Sequence, residues 1–210
     1  MNSSPALRLS AEELSEKKNA ALRLFAQMPE TETPRLRLRK LRMRDAGELY
    51  EWMSDAEVAR YVLWEAHRSP RDTRSYLRYI RQMYRRGWPS SWGIELKESG
   101  RLIGTIGMMS WFPDHRSAEV GYSLGRAWWQ RGYAAEALEA VLRLLFERAE
   151  LNRVEAMCDV RNRRSARVME KCGMTREGLL RQRVINKGET IDVLMYSILR
   201  AEYGRRRNDA

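Results

Sequence analysis

The segment AEVGYSLGRAWWQRGYAAEAL, residues 118–138, constrains the chain most. An alternating strand pattern in EVGYSLG runs through a short turn into an amphipathic helix, with Ala134, Ala137, Leu138, Val141, Leu145 and Phe146 on one stripe. A helix start leaves backbone N–H groups without intrahelical partners, and the aligned peptide dipoles place partial positive charge there. An anion suits such an end, and the small residues Gly132 and Ala134 let it approach the main chain. Arg131 is placed to add a charge-assisted contact. Gly132 also serves a plain tight turn, so the segment alone leaves both readings open. Neither GxGxxG nor GxxxxGK is present, which sets aside the dinucleotide fingerprint and the P-loop.

The rest of the chain predicts one α/β domain. Ser10 and Glu13 form a capping box ahead of a helix carrying Leu14, Ala21, Leu22 and Phe25, and PETETPR follows as a polar linker. That apolar stripe packs either on the domain or on a second subunit, a homodimer. RLRLRKLR reads as a first strand with Leu36 and Leu38 inward and arginines outward; Asp45 caps the next helix, and Ser69-Pro70 opens another that closes at Gly87. SSWGIELK, RLIGTIGMM and AEVGYSLG form an antiparallel meander. After the glycine corner come the strand VEAMCDV, the helix RSARVMEKC and a hairpin across Lys187-Gly188. The sheet is therefore mixed but largely antiparallel, with flanking helices.

At 210 residues the chain fills one core, and no run approaches the apolar length of a membrane span. Residues 1–27 lack a secretory pattern, so a cytoplasmic location is expected. Cys158, Cys172, His67 and His115 fit neither a disulfide framework nor metal-ligand spacing, and no metal is expected. The formal net charge of +11 fits an acidic partner such as RNA or a ribosome surface. Of the 39 basic residues six are lysines and 33 arginines, a skew that coding bias also produces.

With the element order, AEVGYSLGRAWWQRGYAAEAL and the later NRRSARVMEKCGM together resemble the GNAT superfamily of N-acetyltransferases, in the branch that holds ribosomal-protein N-terminal acetyltransferases. The resemblance covers Thr33 to Tyr203. It leaves residues 1–33 as a helical arm and linker, 34–203 as the acetyltransferase domain and 204–210 as a basic tail. It implies acetyl-CoA as co-substrate, with the pyrophosphate wrapped by a (Gln/Arg)-x-x-Gly-x-(Gly/Ala) motif. Here that motif falls on Trp129, Gln130, Arg131, Gly132, Tyr133 and Ala134, tryptophan standing at the first position. The second motif matches Asn162, Ser165, Lys171, Gly173 and Met174. The resemblance further implies that the strands AEVGYSLG and VEAMCDV splay apart, with Val120 offering main-chain donors to pantetheine, Asn162 satisfying its polar groups and Ser165 donating to the departing sulfur.

Acetyl transfer to an amine needs a neutral amine and a stabilised thiolate leaving group. Glu119 points opposite to Val120 in an extended strand and is the candidate general base, acting through water; the alternative is a surface glutamate paired with an arginine. Burial in a cleft would raise its pKa. Tyr61, Trp64 and Glu65 lie in the loop that shapes the acceptor pocket in the family, with Trp64 in the core and Glu65 in solvent as the alternative. The favoured acceptor is the N-terminal amine of a ribosomal or other protein. A small amine and a non-catalytic acyl-CoA sensor or RNA-associated module are the competing readings.

Overall fold

Alternation of apolar and charged residues from Arg35 builds the first long strand, and the same two-residue period recurs along the sheet. The computed structural model describes residues 9–208. Its strands are β1 (Thr31–Glu32), β2 (Leu36–Lys40), β3 (Ser91–Leu96), β4 (Leu102–Phe112), β5 (Ser117–Leu124), β6 (Arg153–Asp159), β7 (Thr175–Asn186) and β8 (Glu189–Leu199). They form one sheet in the order β1-β2-β3-β4-β5-β6-β8-β7. Every neighbouring pair is antiparallel except β5 and β6. A parallel step needs a crossover, and helix α5 (Tyr133–Arg143), continued by a π-helical turn over Leu144–Arg148, supplies it.

The parallel step is short. Ser117, Ala118 and Glu119 pair with Arg153, Val154 and Glu155, after which β5 runs on to Leu124 and β6 to Asp159 unpaired with each other. The expected mixed sheet with splayed strands is the one observed. A bulge at Met109 of β4 lies at the same level, Met108 facing Val120 and Ser110 facing Glu119, and bends β4 there.

Helix α1 (Ala11–Gln27) starts at the expected capping box, Ser10 Oγ accepting from Glu13 N–H. Its buried face, Ala21, Leu24 and Phe25, joins the main core beneath α5 and the sheet, Phe25 meeting Trp111 edge-on at 4.9 Å. Of the expected stripe, Ala21 and Phe25 pack on the chain's own domain together with Leu24, whereas Leu14 and Leu22 are exposed. The first eight residues of the expected arm lie outside the described residues. A second core joins α2 (Ala46–Met53), the single turn α3 (Ala56–Ala59) and α4 (Pro70–Arg86) through Leu49, Trp52, Val58, Leu77 and Ile80. Two further helices, α6 (Arg163–Lys171) and α7 (Arg200–Asn208), follow β6 and β8. Residues 209–210 of the basic tail lie outside the described residues, whereas Arg206 bonds Cys172 O and pairs with Glu139 at 3.0 Å.

The first strand corrects the expectation of outward arginines. Arg39 is buried, its two terminal nitrogens bonding Asp45 at 2.8 and 3.0 Å and its Nε bonding Glu95 at 2.5 Å. Asp45 consequently does not cap α2: its carboxylate accepts from Arg42 N–H at 2.7 Å, and a 3-10 turn over Met43–Asp45 precedes the helix. The buried Asp45 and the partly buried Glu95, gathered on one guanidinium, tolerate its loss badly. Arg39→Ala should cost about 3–5 kcal/mol in denaturant unfolding. Arg39→Lys should recover only part of this, because an ammonium does not reproduce the planar fork; a loss below about 1 kcal/mol, the range of an exposed pair, would contradict the burial.

Candidate active site

The glycine corner is held by its tryptophans. A 3-10 turn over Arg126–Trp128 leads out of β5, and Trp129 Nε1 donates to Leu124 O at 2.8 Å, tying the turn to the strand end. Arg164 of α6 stacks on Trp129 at 4.5 Å, Trp128 meets Tyr133 at 6.4 Å, and Arg131 lies over the Trp128 ring at 5.4 Å. Gln130 and Gly132 both take left-handed backbone, φ 61° and 81°. That turns the chain sharply into α5, whose start has no side-chain cap. The first-turn N–H groups are left for a ligand, as an anion site requires.

Arg35 braces this corner and was not legible as a site residue. Its Nη1 donates to Arg131 O at 3.0 Å, its Nε and N–H bond the Glu136 carboxylate at 2.6 and 2.9 Å, and its guanidinium lies 4.5 Å over Tyr133. Glu136, in the first turn of α5, also accepts from Thr33 Oγ1 at 2.5 Å, and these donors hold its carboxyl below the usual range although burial opposes them. Arg35 and Glu136 stand 101 residues apart, so no local spacing links them. A cleft of about 560 Å³ opens here, lined by Arg35, Gln130, Arg131, Gly132, Lys171 and Cys172 among others. Three cations, open helix amides and a glycine with no side chain fit a pyrophosphate-bearing nucleotide end.

Across the gap between β5 and β6, Tyr122 meets α6. Its hydroxyl donates to Ser165 O at 3.0 Å and lies 3.0 Å from Ser165 Oγ, while burial raises its pKa well above the ordinary phenol range and keeps it protonated. Tyr122 is a second residue absent from the sequence-level site. Asn162 acts as the N-cap of α6, its Oδ1 accepting from Ser165 N–H at 3.2 Å. Val120 is buried beside them. Burial also pushes the Cys158 and Cys172 thiols up, to about 11 and about 12, so neither is a thiolate at neutral pH.

Glu119 sits where the parallel rungs end. It is half-buried, and among the described residues its carboxylate has no hydrogen bond or ion pair. Burial first, and then the neighbouring Glu155 charge, raise its pKa, with Arg183 opposing. Glu155 is differently placed, held by Arg153 Nε at 2.5 Å, and Arg153 in turn pairs with Glu177. The surface-pair alternative for Glu119 therefore has no arginine in contact.

The expected acceptor residues are not joined to Glu119 by any hydrogen bond among the described residues. Tyr61 lies under Arg60 at 5.2 Å, Trp64 packs on the second core and His67, and Glu65 is exposed. The loop is fixed from the far side of the sheet: Lys187, at the tip of the β7–β8 hairpin, donates to Ala59 O at 2.5 Å and Val62 O at 3.1 Å. A lone turn lysine gives no sequence signal for this bridge.

The comparisons with known proteins agree with this geometry. Residues 35–175 match the model of the acetyltransferase (GNAT) domain. An N-acetyltransferase called p20 from Bacillus licheniformis is 34% identical over 171 residues, 81% of this chain and 96% of that protein. The ribosomal-protein-serine acetyltransferase of Escherichia coli is 30% identical over 129 residues, 61% of this chain and 71% of its own length. A crystal structure of a GNAT-family acetyltransferase from Bacillus anthracis superposes with a TM-score of 0.74 at 29% identity, covering 82% of this chain and 99% of the other. A splayed sheet, an uncapped glycine corner and a nucleotide-sized cleft are what such an enzyme needs to hold acetyl-CoA. The chain belongs to the GNAT acetyltransferase family and is an acetyl-CoA-dependent N-acetyltransferase.

Proposed function

We propose that the acceptor is the N-terminal amine of a protein, a ribosomal protein foremost, acetylated in the cytoplasm. The observation that carries the catalytic part is Glu119: a carboxylate with raised pKa, without a hydrogen bond or ion pair among the described residues, at the level where β5 and β6 part. Acetyl-CoA supplies the acetyl thioester. Glu119 takes the proton from the attacking amine through a water, and a pKa raised towards the working range suits a group that must also release that proton. Ser165, hydrogen-bonded to the neutral Tyr122 hydroxyl, supplies a proton or hydrogen bond to the leaving sulfur. Val120 contributes main-chain groups, and Asn162 orients Ser165 by capping its helix.

The uncapped amides after Gly132, with Gln130, Arg131, Tyr133 and Ala134 around them, receive the pyrophosphate. Tyr61, Trp64 and Glu65 form one wall of the acceptor side, and Lys187 holds that wall to the hairpin. Support for a ribosomal acceptor is the 30% identity to an enzyme named for ribosomal-protein serine acetylation. Thiol release from acetyl-CoA should be measured against ribosomal-protein N-terminal peptides, the same peptides blocked at the N-terminus but carrying an internal lysine, and polyamines. Release with the free N-terminal peptides alone is expected; turnover restricted to polyamines would overturn the protein-acceptor reading.

A further inference from the structure

We infer that the outer face of α4 is a binding surface for RNA. Arg71, Arg74, Arg78, Arg81 and Arg85 follow one another at steps of three and four residues, which places them in a single row along the helix. The row extends about 21 Å at about 1.5 Å per residue. All five are exposed, and among the described residues none has a carboxylate partner; Arg78 bonds only Ser75 Oγ, at 2.9 Å. The one acid on the helix, Asp72, is turned to the N-terminus, where it accepts from the Arg68 and Ser69 N–H groups.

Coding bias alone does not account for this row. Several arginines elsewhere are compensated: Arg35, Arg37, Arg39, Arg101, Arg153 and Arg161 each pair with a carboxylate. Arg37 and Arg39 of β2 are held by Glu32, Glu95 and Asp45, and Arg206 of α7 by Glu139. Arginines without an ion pair among the described residues also stand on α6 and β7, but α4 carries five of them in one row.

Guanidinium forks in a row match successive phosphates. Two exposed aromatic rings lie on the same helix and its end: Tyr79, 57% exposed and about a third of a turn round from the row, and Trp88, 51% exposed and under Arg86 at 5.0 Å. Rings beside cations suit unpaired bases, which folded RNA displays in its loops. A lipid surface fits less well, because the apolar residues Leu77, Ile80 and Met83 of α4 all face inward. The helix also carries the acceptor loop, through His67 against Tyr76 at 6.3 Å and Trp64 beyond it. RNA held on the outer face thus lies one helix away from the acceptor wall.

The test is fluorescence anisotropy of the full chain with an RNA hairpin bearing a single-stranded loop, titrated in salt. Two variants each lose four positive charges: Arg74, Arg78, Arg81 and Arg85 to Gln, and the scattered exposed Arg23, Arg44, Arg148 and Arg205 to Gln. The α4 variant should bind about 100-fold more weakly at 0.1 M salt, with the log–log salt slope reduced by about 3, since each lost phosphate contact removes about 0.7. The scattered variant should lose less than about fivefold. Unchanged melting temperature and acetyl-CoA titration heats in both variants establish that the fold and the donor site are intact. Equal losses in the two variants, no RNA binding by the parent chain, or α4-dependent binding to phosphatidylserine vesicles or polyglutamate without RNA binding would each overturn the inference.

Discussion

Gly132→Glu should abolish measurable binding of acetyl-CoA, a weakening of at least about 100-fold, or about 2.7 kcal/mol. Three effects act together. At φ 81° any side chain strains the backbone, and a Cβ there would come within 3.3 Å of Arg35 Nη2, the group bracing the corner. The added carboxylate would occupy the space the open amides leave for an anion and would repel the pyrophosphate. Gly132→Ala separates these contributions, since it imposes the strain without the charge, which for a left-handed non-glycine residue is of order 1–2 kcal/mol. Isothermal titration with acetyl-CoA reads both variants. Parent-like affinity in Gly132→Glu would remove the pyrophosphate from this corner, whereas an intermediate loss in Gly132→Ala would apportion the effect between backbone and charge.

The second large effect is kinetic. Glu119→Gln should lower kcat by about 10²–10³, within the range of general-base catalysis, and leave the affinity for acetyl-CoA unchanged. The pH profile provides the signature. Because the carboxyl's pKa is raised, the base is protonated and idle at low pH, and the rate climbs as pH rises through that raised value. The variant should lose this acid limb while remaining slow throughout. Glu155→Gln serves as the control, because that carboxylate is engaged by Arg153 and should not shape the profile beyond a small downward shift of the Glu119 limb. A fully active Glu119→Gln enzyme would return Glu119 to a structural position on β5.

Much of the architecture was legible because it is written in local periods. The meander, the helix from Ser69-Pro70 to Gly87 and the strand–corner–helix unit follow from alternation, capping residues and glycine placement within a few positions of one another. What escaped lies between distant segments. Arg39 alternates with leucines as an outward residue would, yet Asp45 and Glu95 supply enough opposite charge to bury it. Arg35 and Glu136, Tyr122 and Ser165, and Lys187 with the Ala59–Val62 carbonyls are pairs that only the folded sheet brings together. The extra residue at Met109 has no local signature either, since a bulge changes the count between partners and not the pattern within one strand. Charge misled as well: Arg37 and Arg39 of β2 and Arg206 of α7 looked free in the sequence, and Glu32, Asp45, Glu95 and Glu139 neutralise them.

The short union of β5 and β6 has a consequence for how such sequences diverge. Beyond Glu119 the two strands turn main-chain edges, not side chains, towards the gap. A peptide group is the same at every position, so whatever a main-chain edge recognises survives replacement of the residues along it. The register has to be kept; the identities do not. The acceptor wall proposed above would be built from side chains and loop carbonyls, where each replacement changes the chemistry. Relatives that share about a third of their residues can therefore inherit the donor unchanged while their acceptors drift apart.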